Sequence, residues 1–135
     1  PTESRGLGDV YKRQSFYINE LGFDDAYMQK GFSTFTLEDN IRYLKEFKEG
    51  DVIYPSFQLY KSNKKLMHFV GILQNKNDEL AAIFETVLGH IDLKIRKVVN
   101  FPEDKKEHLI KVCKEQADIS KPPFDVKLHI KSINE

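Results

Sequence analysis

Three consecutive stretches of alternating hydrophobicity between Asp51 and Leu93 constrain what this chain can become. Asp51–Lys61 sets Ile53, Phe57 and Leu59 against Val52, Tyr54, Gln58 and Tyr60. Lys65–Gln74 is apolar on both sides, with Leu66, Val70 and Ile72 opposed to Met67, Phe69 and Leu73. Glu79–Leu93 sets Leu80, Ala82, Phe84 and Leu88 against Ala81, Ile83, Val87 and Ile91. A period of two residues belongs to a strand rather than a helix. The joints, Ser62-Asn63-Lys64 and Asn75-Lys76-Asn77-Asp78, are turn-forming and of hairpin length. The segment therefore predicts an antiparallel meander, buried on one face throughout and on both faces of its middle strand.

The flanks extend this plan. Phe32–Leu44 alternates too, with Phe35, Leu37, Ile41 and Tyr43 on one face and Thr34, Thr36, Glu38, Asn40 and Arg42 on the other, and predicts a further strand. Upstream, Phe16, Tyr17, Ile18 and Leu21 crowd a short helical stretch closed by Gly22. It is too short to be stable alone and predicts the tail of a longer helix packed on the sheet. Asp24–Gly31 reads as a connection. Downstream, Pro102 followed by Glu103 and Asp104 suits the start of a helix and the positive end of its dipole. That helix is expected from Glu103 to Gln116, with an apolar stripe of Leu109, Ile110, Val112 and Cys113. Pro122-Pro123 bars its continuation, and Val126, Leu128 and Ile130 alternate as a weak extra strand or an extended strap. Residues 1–14, PTESRGLGDVYKRQ, show no sustained period and read as a non-native, adapter-like segment or a native disordered terminus. The expected organisation is thus 1–14 outside the fold, 15–118 as one domain and 119–135 as a tail.

Charge narrows the function. Lysine plus arginine number 21, as do aspartate plus glutamate, so the formal net charge is zero. A nucleic-acid partner, which usually leaves a basic excess, gains no support. Cys113 is the single cysteine, so an internal disulfide is impossible. No run approaches the ~18 apolar residues of a membrane span. No signal-peptide pattern is visible either, and a cytoplasmic protein without a membrane partner is expected.

Particular words carry a resemblance. Phe35-Thr36-Leu37-Glu38-Asp39-Asn40-Ile41-Arg42-Tyr43-Leu44-Lys45-Glu46 resembles a strand segment of bacterial acyl-CoA thioesterases of the 4-hydroxybenzoyl-CoA thioesterase superfamily. Lys64-Lys65-Leu66 with His68-Phe69 is similar to their next strand entry. Gly89-His90-Ile91-Asp92-Leu93-Lys94-Ile95-Arg96-Lys97 with Phe101-Pro102-Glu103 is similar to their last strand and the start of their closing helix. The resemblance covers Ser15 to Gln116 and implies an α+β hotdog fold: a curved antiparallel sheet around a helix, with a C-terminal helix. In that family an Asp- and Asn-containing motif leads into the long helix, supplying the first strand, the usual catalytic carboxylate and an anion-binding helix N-terminus. Residues 1–14 carry no such motif. The first strand and that carboxylate are therefore expected to be missing, and activity in this piece to be impaired.

Thioester hydrolysis needs an activated water or an attacking carboxylate, aligned donors for the oxyanion, and cations or a slot for coenzyme A. Glu38, on a polar strand face, is a catalytic candidate or a strand glutamate paired with Arg42. His90 and Asp92, two residues apart on one strand face, can act as base and orienter or simply satisfy a strand end. Lys94, Arg96 and Lys97 form a basic cluster for the coenzyme A phosphates or a solvated turn. Lys64 and Lys65 are expected in solvent, His68 in the core. The scattered histidines, His68, His90, His108 and His129, lack zinc-type spacing, and no metal or bound cofactor is expected.

The resemblance and the residues together point to an acyl-CoA thioesterase for a small or medium acyl group, assembled as a homodimer or homotetramer. The alternative is a non-catalytic acyl-binding or oligomerising hotdog module. A hotdog dehydratase or hydratase fits the matched words less well.

Overall fold

The computed structural model describes residues 14–119 and 121–131. The expectation for residues 1–14 falls almost wholly outside them. The meander forms as the alternation predicts: β1 (Phe32–Tyr43), β2 (Tyr54–Ser62), β3 (Leu66–Gln74) and β4 (Leu80–Asp92), all antiparallel. The sheet order is β1-β4-β3-β2, and a short β5 (Lys97–Val98) pairs with the end of β4. β1 and β2 are therefore the edges. β4 lies between β1 and β3 and is buried along most of its length.

Three helices cover one face. α1 (Phe16–Glu20) is a single π-helical turn, closed by the i→i+5 bond from Leu21 N to Phe16 O at 3.1 Å. Gly22 ends it at φ +78°, as its sequence position predicts, because a side chain there would be strained and would meet Lys105 Nζ. Lys105 donates to the carbonyls of Leu21 and Gly22, which would otherwise be left without helical partners. Its ammonium also lies 4.8 Å from the Phe23 ring centroid and 4.5 Å from that of Tyr27. The segment expected as a plain connection holds a second helix, α2 (Asp25–Gln29). Its N-cap is Asp24, whose carboxylate accepts from Tyr27 N at 2.9 Å. α3 (Glu103–Ile119) runs beyond the expected end at Gln116 and packs on β2. Gln116 Oε1 accepts the edge amide of Leu59 at 2.6 Å.

The core fills the space under these helices. Leu21, Phe23, Tyr27, Leu59, Met67, Phe69, Phe84, Phe101, Leu109 and Val112 form one buried cluster. Gly71 is required within it: a Cβ there would stand 2.2 Å from the Phe84 ring.

On the opposite face the tail is a strap. Residues 121–131 alternate, with Val126 and Leu128 half-buried, Ile130 buried, and Asp125, Lys127 and His129 exposed. The strap forms no strand pairing. It is fastened instead by Glu85, a fully buried carboxylate on β4. Glu85 accepts from Lys127 N at 2.8 Å, Leu128 N at 3.0 Å, Arg42 at 3.2 Å and His68 Nε2 at 3.0 Å. Arg42 further donates to Asp125 O, and Asn63 to Lys131 O. A buried charge is tolerable only when saturated in this way.

Replacing Glu85 with Ala strands Arg42, His68 and two strap amides. We expect E85A to lose about 3–5 kcal/mol of unfolding free energy in urea titration. E85Q, which keeps an acceptor, is expected to lose less.

Candidate functional site

The strand β1 does not alternate cleanly. Thr36 stands opposite Leu88, yet Glu38 stands opposite Val87, so Leu37 is an extra residue in a β-bulge. Residues directly opposite in an antiparallel pair share a face. Before the bulge, Thr34 and Thr36 therefore share the helix-covered face with His90 and Leu88. After it, Asp39 and Ile41 share that face with Thr86 and Phe84. Glu38, Asn40 and Arg42 belong to the strap face with Val87, Glu85 and Ile83. The expected grouping of Glu38 with Thr34 and Thr36 is thus corrected: a single inserted residue places them on opposite sides.

A pocket of about 200 Å³ opens on the helix-covered face, between α1 and β1. Phe69 and Leu88 supply an apolar wall, and Tyr17, Thr34, Thr36 and Thr86 supply hydroxyls. Tyr17 Oη and Thr34 Oγ1 are 2.6 Å apart. Burial raises the Tyr17 pKa, against the opposing hydrogen bonds from Thr34 and Ser33, so the phenol keeps its proton and remains a donor. Thr86 donates to Asp39 Oδ1 at 2.6 Å. The pocket therefore gathers hydroxyls on an apolar floor, and one of its walls, Thr86, is bonded to the Asp39 carboxylate. Two further hollows, of about 230 and 560 Å³, lie between β2 and the strap, where Gln58, Pro122 and Phe124 are shared walls.

The candidates read from the sequence are placed apart. Glu38 is exposed on the strap face, and Arg42 pairs with Glu85 rather than with it. His90 is fully buried. Its Nδ1 lies 3.1 Å from Val99 O and its Nε2 lies 2.6 Å from Tyr27 Oη. A carbonyl only accepts, so Nδ1 carries the proton and Nε2 accepts from the phenol. Phe32 and Phe101 pack on the same ring. Asp92 does not orient it; its carboxylate accepts Lys94 N at 2.8 Å and shapes the turn after β4. Lys94, Arg96 and Lys97 are exposed around that turn, where Arg96 takes φ +55°. The Arg96 guanidinium lies 5.3 Å from the centroid of the Phe35 ring. Cys113 is half-buried on α3, its thiol pushed up to about 12 by burial. Among the described residues no three His, Cys, Asp or Glu side chains are arranged to hold a metal.

Asp39 and Tyr17 were not singled out by the sequence, and Thr86 was not either. Only the cross-strand register reveals which of Glu38 and Asp39 faces the helices.

Residues 11–109 match the thioesterase-like superfamily. The chain belongs to that family. Among curated relatives, the L-carnitine dehydrogenase/betainyl-CoA thioesterase of Rhizobium meliloti (strain 1021) is 31% identical over 122 residues, 90% of this chain and 25% of the relative. Its counterpart from Agrobacterium fabrum is 30% identical over 101 residues, 75% of this chain and 21% of the relative. The chain thus spans about a quarter of the length of the curated relatives it matches. Among solved structures, a Staphylococcus aureus protein in complex with CoA superposes with a TM-score of 0.73 at 24% identity, covering 96% of this chain and 82% of that one. The DHNA-CoA thioesterase of the same species gives 0.67 at 22% identity, covering 81% and 76%. The hotdog-type α+β fold expected from the sequence is the fold of this thioesterase-like chain.

Burial lowers the pKa of both His68 and His90, outweighing the partners that favour the imidazolium. Both folded-state values lie below the free imidazole value of 6.5, so the unfolded chain binds protons first as pH falls. The stability contributed above that value is lost as pH drops through the folded values. We expect a lower urea midpoint at pH 5.5 than at pH 7.5, and a neutral Nδ1-protonated His90 by ¹⁵N NMR at neutral pH. An imidazolium signal from His90 there would contradict the assignment.

Proposed function

We propose that this chain is an acyl-CoA thioesterase domain acting on a small acyl group. One observation carries the reading: in a member of the thioesterase-like superfamily, a pocket of about 200 Å³ combines an apolar wall with the half-buried hydroxyls of Tyr17 and Thr34. Such donors can polarise a thioester carbonyl and receive its developing negative charge. The volume suits a short acyl group better than a long chain, and the curated relatives are named betainyl-CoA thioesterases. Lys94, Arg96 and Lys97 are proposed to meet the coenzyme A phosphates from the exposed turn after β4. A second copy of the chain is proposed to cover the β1 edge. Among the described residues that edge pairs only with β4, and it leaves Leu37 47%, Ile41 56% and Tyr43 74% exposed. The free thiol of Cys113 is in keeping with a reducing compartment such as the cytoplasm.

Thiol release from short acyl-CoAs, betainyl-CoA among them, tests the reading. Cys113 contributes little background, because its buried thiol stays protonated. Binding of acyl-CoA with no release of thiol would assign the alternative, a non-catalytic acyl-binding module. The triple variant K94E/R96E/K97E is expected to raise KM about tenfold, or ~1.4 kcal/mol, with kcat nearly unchanged. Ile41→Arg is expected to shift the assembly toward monomer in analytical ultracentrifugation.

A further inference from the structure

We propose that Asp39 is the general base of this pocket, a role that rests on the thioesterase reading. The bulge at Leu37 is the reason. Without it, Glu38 would share the face of Thr34 and Thr36; with it, Asp39 stands directly opposite Thr86 on the pocket's side. Thr86 is itself a wall of the pocket, and its hydroxyl holds Asp39 Oδ1 at 2.6 Å. That bond fixes the carboxylate's orientation beside a residue of the pocket wall. Asp39 is exposed in the single chain, so a water can reach it. The Tyr17–Thr34 hydroxyl pair lines the same pocket and supplies one free O–H donor, the other proton lying in their mutual bond. A base, a supply of water and an oxyanion donor are the three groups that hydrolysis of a thioester requires.

The step balances without any further reagent. Asp39 takes a proton from water as the water oxygen bonds to the thioester carbon. The carbonyl electron pair moves to oxygen, where the free pocket O–H donates to it. Collapse restores the carbonyl and breaks the carbon–sulfur bond, whose electron pair leaves on sulfur. The thiolate takes the proton held by Asp39, giving a carboxylic acid and a thiol. In this assignment Thr86 is a positioning residue. Glu38, on the other face, takes no part.

The test compares Asp39→Asn and Glu38→Gln with the unaltered chain, using the short acyl-CoA turned over fastest by that chain. Both variants are nearly isosteric, and the carboxamide introduced by D39N retains an acceptor for Thr86, so folding is kept. D39N is expected to lose about 100-fold or more in kcat with KM changed by less than about threefold. E38Q is expected to keep kcat within about threefold. In Asp39→Ala, added formate is expected to restore part of the rate, which a purely structural aspartate would not allow. Thr86→Val is expected to give a smaller kcat loss than D39N at similar KM. An active chain whose D39N variant keeps its kcat, or whose E38Q variant loses it instead, overturns the assignment and leaves the thioesterase reading standing. Absence of turnover by the unaltered chain overturns both.

Discussion

One extra residue in β1 decides what this molecule presents to a ligand. Strand side chains alternate with a period of two, so a single insertion reverses every face after it. Leu37 is that insertion, and its side chain is accommodated against Gly89, where a Cβ would stand 2.9 Å from Leu37 Cδ1. The consequence is local but chemical. The acidic pair Glu38-Asp39 is turned by one position, so that Asp39 meets Thr86 and Glu38 meets the strap face. The apolar Ile41 and Tyr43 are turned with Asp39 to the helix side, beyond the reach of α1 and α2, and stay exposed at the edge. Pocket, carboxylate and bare apolar edge thus follow from the same register shift.

The two faces of the sheet are held by different physics. Under the helices the cohesion is aromatic: Phe23, Tyr27, Phe32, Phe57, Phe69, Phe84 and Phe101 pack ring on ring, with His90 among them. A histidine survives there because both ring nitrogens are satisfied and its charged form is suppressed. Under the strap the cohesion centres on one carboxylate, supplemented by Arg42, Asn63 and the buried Ile130. Glu85 receives two backbone amides, a guanidinium and an imidazole, and this replaces the ladder of hydrogen bonds that a true strand would have supplied. The strap consequently depends on a charge, whereas the helix layer depends on contact area.

Much of this was legible in the sequence, for physical reasons that also mark where legibility stops. The meander read correctly because alternation in β2, β3 and β4 follows burial, and burial dominates strand energetics. Gly22, Pro102 and the acids at the start of α3 read correctly because backbone conformation and helix-end electrostatics are local properties. α2 is not legible in the sequence because five residues capped by Asp24 carry too short a pattern to distinguish from a turn. The strap alternated as a strand does, but its partner was a side chain, and a pattern of burial cannot tell one partner from another. The bulge is invisible in the sequence because the polar run Glu38-Asp39-Asn40 does not say which face each of its residues takes. The register belongs to β4 as much as to β1, and no single-strand pattern contains it.

The family resemblance places a catalytic carboxylate upstream of the long helix, and residues 1–14 carry no motif that would supply it. Within the described residues the proposed site offers another arrangement of the same chemistry. A thioester carbonyl needs donors that cannot ionise away, and Tyr17 meets that need because burial keeps its phenol protonated beside Thr34. The attacking water needs the opposite environment, a carboxylate left wet enough to exchange protons, and Asp39 meets it at the exposed strand edge. In the proposed site, half-buried hydroxyls beside an apolar wall and an exposed carboxylate held by Thr86 are what would separate hydrolysis from mere acyl binding, which needs the apolar wall alone.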